Sequence, residues 1–442
     1  MVVFMGYLED YKSKLITVDD ALLKVKSGDE IVVGLGASEP NVFLKRLHEI
    51  NGKVKDVSIA TCLPMQPYEY FMNIEYAESF MMNGWFYGGD MRKVHKNKMV
   101  SYIPNHLHLA GFKRFQHKKP DIFIGVASLM DAHGNISLGP SATYERDAVE
   151  LADIVILEVN KNVPRTFGDT IIPLNYVDFI IETDYELPQL PIVESSEKDK
   201  AIGNYIAEYI EDGSTIQLGI GGIPNAVADS LIHKKDLGIH TEMFTEGMLK
   251  LSELGVINNS KKTLRKNKSV ATFALGTKKL YDFINDNPAV EILDGHYVND
   301  PYVIGQNYKM ISINTSLEVD LTGQCASEAV GTRQFSGTGG QVDTAVGAQK
   351  SEGGKSFIAL HSTANVKDAD GNRVLKSKIS PILSAGTPVT LSRNDVDYVV
   401  TEYGVAALRG TSVKERVEKL INIAHPDFRD ELKSEADKLM IW

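Results

Sequence analysis

SGDEIVVGLGASEPN at residues 27–41 and DGSTIQLGIGGIPN at residues 212–225 decide the reading of the fold. Each carries a short β-branched run into a glycine-rich turn and then a Pro-Asn pair that opens a helix. Allowing one gap, Gly28, Gly34, Gly36, Pro40 and Asn41 match Gly213, Gly219, Gly221, Pro224 and Asn225. A second pair follows in the same order, SLMDAHGN at 128–135 against SLEVDLTGQ at 316–324. Two matches in one order point to an internal duplication. Around them, helical stretches (19–26, 199–211, 413–423) alternate with β-branched runs (30–36, 121–128, 153–159, 214–220, 397–404), which is the pattern of α/β architecture. LPQLPIVESSE at 187–197 has prolines, serines and no clean period, so it separates a domain at 1–190 from one at 191–442. The expected fold is α/β, two similar domains from an internal duplication, with the active-site cleft between them.

Composition bounds the function. A chain of 442 residues, 43% hydrophobic and 24% charged, is an ordinary globular protein. Its length suits two or three domains at about 150 residues each. Disordered, collagen-like and disulfide-scaffold classes are excluded. A net charge of −11 argues against a nucleic-acid binder, whose affinity rests on neutralising phosphates. Cys62 and Cys325 are too few and too far apart for a disulfide framework or a zinc site, and read as buried thiols. The N-terminal MVVFMGYLEDYK lacks a basic leader and breaks into acids at Glu9 and Asp10, unlike a signal peptide. No window reaches the roughly 18 apolar residues of a membrane span. The expected location is cytoplasmic, with no membrane partner.

Four segments are candidates for chemistry. In QLGIGGIPN at 217–225, Gly219, Gly221 and Gly222 let the backbone turn sharply and approach a ligand. The following helix N-terminus offers free N–H groups to a phosphate or an oxyanion. A nicotinamide-binding fingerprint needs a glycine where Pro224 stands, although Glu242 follows at the distance of a ribose-binding acid. In LGIHTEMFTEG at 237–247, an apolar run ends in His240, Thr241 and Glu242. A carboxylate among apolar neighbours there has altered reactivity and can serve as a nucleophile, a solvated loop acid being the alternative. Glu246 competes in the same loop. FSGTGGQVD at 335–343 has three glycines in four positions and can aim N–H groups at an anion, or be only a flexible turn. Glu402 in TEYG and His425 in AHPDF are either site residues or members of an ion pair and a helix cap. His106 and His108 stand two apart without a third ligand nearby, so no metal is expected. The basic runs at 92–98, 113–119 and 258–268 read as solvated loops, one of which could meet a ligand phosphate.

Taken together, QLGIGGIPNAV, GIHTEMFTEG, FSGTGGQVDTAVGA, DYVVTEYGVAALRG, MDAHGNISLGPSA (130–142) and INIAHPDFRDEL (421–432) resemble the acetyl-CoA hydrolase/transferase family of CoA-transferases. The likeness runs from about Lys14 to the C-terminal helix and is strongest to its butyryl-CoA:acetate and 4-hydroxybutyrate branches. It implies two CoA-transferase domains and a nucleophilic glutamate in the H-T-E-M position, Glu242, within the second of them. It also implies CoA contacts from Gly219, Ile220, Gly221, Gly222 and Ile223 and from Gly339 and Gly340. The implied chemistry is ping-pong exchange of CoA between two carboxylates through a glutamyl-CoA thioester. CoA serves there as substrate and covalent intermediate, with no permanently bound cofactor and no metal. The glycine turns are the candidate oxyanion donors. GIGGIPNAV, HTEM, MDAHG and LGPSA favour butyryl-CoA with acetate, whereas FGDTIIPLNYVDFIIET at 167–183 favours 4-hydroxybutyrate. An acyl-CoA hydrolase and a non-catalytic CoA sensor are the competing readings. The partners expected are acyl-CoA, short-chain carboxylates and further copies of the same chain.

Overall fold

Apolar runs bounded by glycine, aspartate or a charged residue become the strands of parallel sheets in the computed structural model, which describes residues 2–367 and 371–442. The chain forms two compact units. The first takes Met1–Pro191 with Glu242–Phe244 and Val270–Val298, and the second takes Ile192–Thr241, Thr245–Ser269 and Asn299–Trp442. Contacts therefore do not divide the chain at the single point 190/191. The last three residues of the strand Gly238–Phe244, Glu242 among them, count with the first unit rather than with the 191–442 domain.

The first unit is built on β1 (Glu30–Val33), β2 (Val57–Cys62), β3 (Phe80–Phe86), β4 (Val100–Tyr102), β5 (Ile122–Ala127), β6 (Ile154–Asn160) and β7 (Phe179–Thr183). Their order across the sheet is β7-β6-β5-β1-β2-β3-β4, parallel throughout. Parallel pairing requires crossover connections that cover the sheet faces, so central strands are apolar on both sides. IFIGVA in β5 is accordingly buried at all six positions. Ile31, Ile59, Phe43, Phe71, Phe80 and Met82 sit together in one apolar cluster of this unit.

The second unit uses β8 (Thr215–Leu218), β9 (Gly238–Phe244), β10 (Met310–Thr315), β11 (Lys355–Ala359), β12 (Tyr398–Thr401) and β13 (Gly404–Ala407). Their order is β13-β12-β11-β10-β8-β9, with β13 alone antiparallel. Helix Val413–Ile423 packs its Val417, Leu420 and Ile423 into the core with Val319, Ile358 and Val399. Ser412 and Glu415 close a capping box at its start. The helix expected at 199–211 forms as Glu197–Glu208. The one expected at 19–26 is only Val18–Leu22, opened by a Thr17–Asp20 capping box and too short for a full turn of further support.

The duplication is visible in matched hydrogen bonds. Gly28 and Gly213 both take positive φ, +84° and +77°. Their N–H groups donate to Lys55 and Lys235 carbonyls, each at 2.9 Å. Gly34 donates to Ile124 and Gly219 to Ile313, each at 3.1 Å. The second motif repeats too. Asp131 accepts from His133 and Asn135 N–H, and Asp320 from Thr322 and Gln324 N–H, with Gly134 and Gly323 left-handed in the two turns. The strand neighbourhoods agree as well, β5-β1-β2 against β10-β8-β9.

Glu158 and Glu39, both buried, are among the acids that hold the turn after β1 and the helix beyond it. Glu158 accepts from the Val42 and Phe43 N–H groups at 3.2 and 2.7 Å and from the Tyr185 hydroxyl at 2.6 Å, capping the helix α1 (Asn41–Arg46) from a distant strand. Glu39 accepts from Met65 N–H and the Tyr68 hydroxyl. Burial pushes the Glu39 carboxyl up to about 8, against the pull of those two bonds, and Glu158 adds like charge. A folded state that keeps a proton which the unfolded chain has released loses stability as pH rises. The contribution of Glu39 therefore falls from about pH 4 and levels off above about 8. Glu39→Gln should gain on the wild type in Tm as pH climbs from about 5 to about 8, and keep a constant lead beyond. Glu158→Ala, which strands two helix N–H groups and a tyrosine hydroxyl, should cost about 2–3 kcal/mol in denaturant unfolding.

Candidate active site

In an open α/β sheet, neighbouring strands whose connections leave in opposite directions open a crevice at their carboxyl ends. In the second unit those strands are β8 and β10. The chain runs from β8 to β9 on one side and from β10 to β11 and β12 on the other. Both glycine-rich turns picked out in the sequence lie at this edge. Gly219 follows β8 and donates to Ile313 of β10. Gly339 and Gly340 precede the helix Gln341–Lys350, whose first residue holds the Thr315 carbonyl at the end of β10 through Gln341 Nε2 at 2.9 Å. The structure thus brings Gly219–Ile223 and Gly339–Gly340 to one edge of one sheet.

The first turn leads into the helix Gly222–Ser230, so Pro224 stands third in it. Gly221 has φ +109°, a region that suits glycine. Gly222 is required by space, since a Cβ there would lie 2.6 Å from Asp199 Oδ2. Ile223 is buried, while Ile220 is 42% exposed at the tip. Among the described residues no side chain caps either this helix or Gln341–Lys350, each of which has a glycine at its N-cap. Asp199 caps its own helix with Ser196 and accepts from His361 Nε2 at 2.8 Å. Burial alone would raise its carboxyl, but the bonds from Ser196 and His361 hold it below the usual range.

Glu402, just beyond β12, shares this edge. It accepts from Ser362 N–H and Oγ at 2.8 Å each and pairs with Lys198 at 2.9 Å. Those partners outweigh burial and hold its carboxyl low. Lys378, burdened by burial and eased by Glu402 and Glu318, is brought down to about 8. His425 is the cap of a short 3-10 turn, accepting from Asp427 N–H, with its ring against Tyr403 and Phe428.

Glu242 belongs to a different surrounding, in the first unit. Six of the seven residues of β9 are buried, and Glu242 is the one that is not. Burial raises the Cys62 thiol well above its ordinary value, and the charges of Glu242 and Glu145 raise it further, so Glu242 lies within electrostatic reach of the end of β2. Glu145 is fully buried and accepts from Leu35 N–H at 2.8 Å in the turn after β1. Tyr144 bonds Val33 O at 2.8 Å and packs on Trp85, ring centroids 4.8 Å apart. Trp85 Nε1 is buried with no hydrogen-bond partner among the described residues. Glu145, Tyr144 and Trp85 escaped the sequence reading because they come from a helix start and a strand far apart in the chain. Cys62 was legible as a buried thiol and nothing more. Glu246 opens the helix Glu246–Glu253 instead.

The basic runs are partly internal. Arg114 pairs with fully buried Glu30 at 2.6 Å, and Lys262 bonds the Ile239 and Lys268 carbonyls. Among the described residues no group of three His, Cys, Asp or Glu side chains is placed to hold a metal ion. No helix among them is long and apolar enough to cross a membrane.

Comparison with known proteins matches residues 4–194 to the acetyl-CoA hydrolase/transferase N-terminal domain and 276–436 to its C-terminal domain. The chain is 43% identical to the succinyl-CoA:cyclohexane-1-carboxylate CoA transferase of Geobacter metallireducens, over 98% of this chain and 97% of that one. It is 42% identical to the 4-hydroxybutyrate coenzyme A transferase of Clostridium kluyveri, over 98% and 100%. It is 38% identical to the butyryl-CoA:acetate CoA-transferase of Anaerostipes caccae, over 99% of each. The crystal structure of RipA from Yersinia pestis superposes with a TM-score of 0.92 at 34% identity, covering 99% of this chain and all of that one. With both family domains matched and relatives aligned along nearly its whole length, the chain belongs to the acetyl-CoA hydrolase/transferase family and is a CoA-transferase.

Proposed function

We propose that this enzyme moves CoA between butyryl-CoA and acetate, with Glu242 as the nucleophile. The observation that supports Glu242 is its place as the one residue of β9 left partly open, between buried Thr241 and Met243. A carboxylate partly open on a strand whose other residues are all buried is reachable by substrate yet set in a largely desolvated segment, which suits covalent catalysis. One Glu242 oxygen attacks the acyl-CoA carbonyl, and the C–S bond breaks to give a mixed anhydride and CoA thiolate. The thiolate attacks the Glu242 carbonyl, the anhydride C–O bond breaks, and butyrate leaves. Acetate then attacks the glutamyl-CoA thioester, and the same steps in reverse release acetyl-CoA and free Glu242. One thioester replaces another of similar energy, so no nucleotide is consumed.

CoA itself is assigned to Gly219–Ile223 and Gly339–Gly340. Glycine turns followed by helices without side-chain caps, at the carboxyl edge of a parallel sheet, suit a phosphate-bearing ligand. The three CoA transferases named above differ in the acid their names give. The stretch at 167–183 keeps 4-hydroxybutyrate as a second reading. A hydroxyl on the acyl chain matters only where the pocket supplies it a hydrogen-bond partner.

Intact-protein mass spectrometry after incubation with butyryl-CoA alone should show an adduct of CoA less one water, mapped to Glu242 and discharged by acetate. Glu242→Ala should lose exchange by about 10³-fold or more while remaining folded. Glu242→Asp, which draws the carboxylate back by one methylene, should cost about 10²-fold. Transfer retained in a clean Glu242→Ala preparation would refute the assignment. Thiol release from acetyl-CoA without an added acid should run at least about 100-fold slower than exchange, because closure around the intermediate keeps water from it. Equal rates would make the enzyme a hydrolase. An acceptor panel should rank acetate and butyrate above 4-hydroxybutyrate, and the opposite ranking would move the substrate to the second reading.

A further inference from the structure

We infer that Glu328 is the positioning residue that sets the second glycine turn for CoA. The inference rests on the assignment of CoA to Gly339 and Gly340, and it concerns a residue outside that turn. Glu328 is a carboxylic acid only 7% exposed, with no lysine or arginine paired to it within the described residues. Its bonds run to the turn instead. The hydroxyl of Thr338 donates to Glu328 Oε2 at 2.8 Å, immediately before Gly339. The backbone of Glu328 holds the other end of the turn, its carbonyl accepting from Phe335 N–H at 2.8 Å and Ser336 N–H at 3.0 Å. One residue therefore grips positions 335, 336 and 338.

The intervening chain explains how this is possible. Ala329–Val330 pairs antiparallel with Arg333–Gln334, so the hairpin returns Phe335 to the residue that precedes it. Ser336 Oγ donates to the Ser327 carbonyl at 3.1 Å, adding a second tie at the hairpin base. On the far side, Gln341 N–H reaches the Thr338 carbonyl at 3.4 Å. Thr338 is thus held by its side chain from Glu328 and by its carbonyl from the following helix, and Gly339 turns between them at φ +53°. Thr390 supplies a control, since its hydroxyl donates to the same Oε2 at 3.0 Å from outside the turn.

A group that merely stabilises the fold would affect both half-reactions alike. A group that shapes the CoA turn should act on the acyl-CoA step. In ping-pong kinetics the two KM values are separable, which gives the test. Glu328→Ala should raise the KM for acyl-CoA and the Kd for CoA about ten-fold, with the KM for the acceptor carboxylate changed by less than about two-fold. Glu328→Gln, whose amide oxygen still accepts both hydroxyls, should recover most of that loss. Thr338→Val keeps the side-chain shape, protects the test should Glu328→Ala fail to fold, and should reproduce the rise in acyl-CoA KM. Thr390→Val should lower Tm with little effect on either KM. An unchanged acyl-CoA KM in Glu328→Ala and Thr338→Val would overturn the inference, as would an equal rise in both KM values. Failure of the underlying assignment reads differently, as a CoA Kd indifferent to Gly340→Val, and would also remove the inference.

Discussion

Parallel strands bury both faces and leave only their ends open, and that constraint governs where this enzyme can place chemistry. Once crossover helices cover a sheet, polar groups reach a ligand only from the carboxyl edge. In the second unit Gly219, Gly339, His361 and Glu402 all follow strand ends or open the helices beyond them. In the first unit the turn after β1, Cys62 at the end of β2 and Glu145 beyond β5 do the same. Repeating one strand–turn–helix unit therefore repeats the edge, and each copy is free to carry a different share of the work.

The edge is costly to build because it concentrates buried polar atoms. The protein meets part of that cost by giving buried carboxylates several hydrogen-bond donors each. Glu158 caps a helix to which it is not adjacent in sequence, Asp199 is shared between Ser196 and His361, and Glu402 is held by Ser362 and Lys198. An unpaired buried acid would cost several kcal/mol, so these carboxyls also fix the turns they bond. Glu242 differs in keeping part of its surface open, as the nucleophile proposed for it would need. Burial, helped by the charges of Glu242 and Glu145, raises the Cys62 thiol and keeps it protonated rather than a rival nucleophile.

Glu242 illustrates how far residue patterns reach. Its segment reads as an apolar run ending in an acid, which fits a nucleophile, a ribose ligand or a loop carboxylate, and family motifs single out the first. Glu402 and His425 read alike as site or structural residues, and the structure sets Glu402 in an ion pair and His425 in a cap. Glu328 left no trace in the reading, because nothing in SEAVGTRQFSGTGG tells that a hairpin returns Phe335 and Ser336 to its carbonyl. Glu145, Tyr144 and Trp85 were likewise hidden, being contributed by separate strands and loops.

The amino-acid sequence by itself determined the α/β class, the duplication, the two glycine turns and the acid in the H-T-E-M position. These are local matters of strand periodicity, glycine conformation and motif order, legible within some fifteen residues. The tertiary structure decided which side of the division the end of β9 joins, which carboxyls are buried or paired, and which distant residues brace each turn. Those outcomes depend on strand order and on desolvation by residues far away in the chain, and a polar side chain carries no mark of its burial until the sheet has formed.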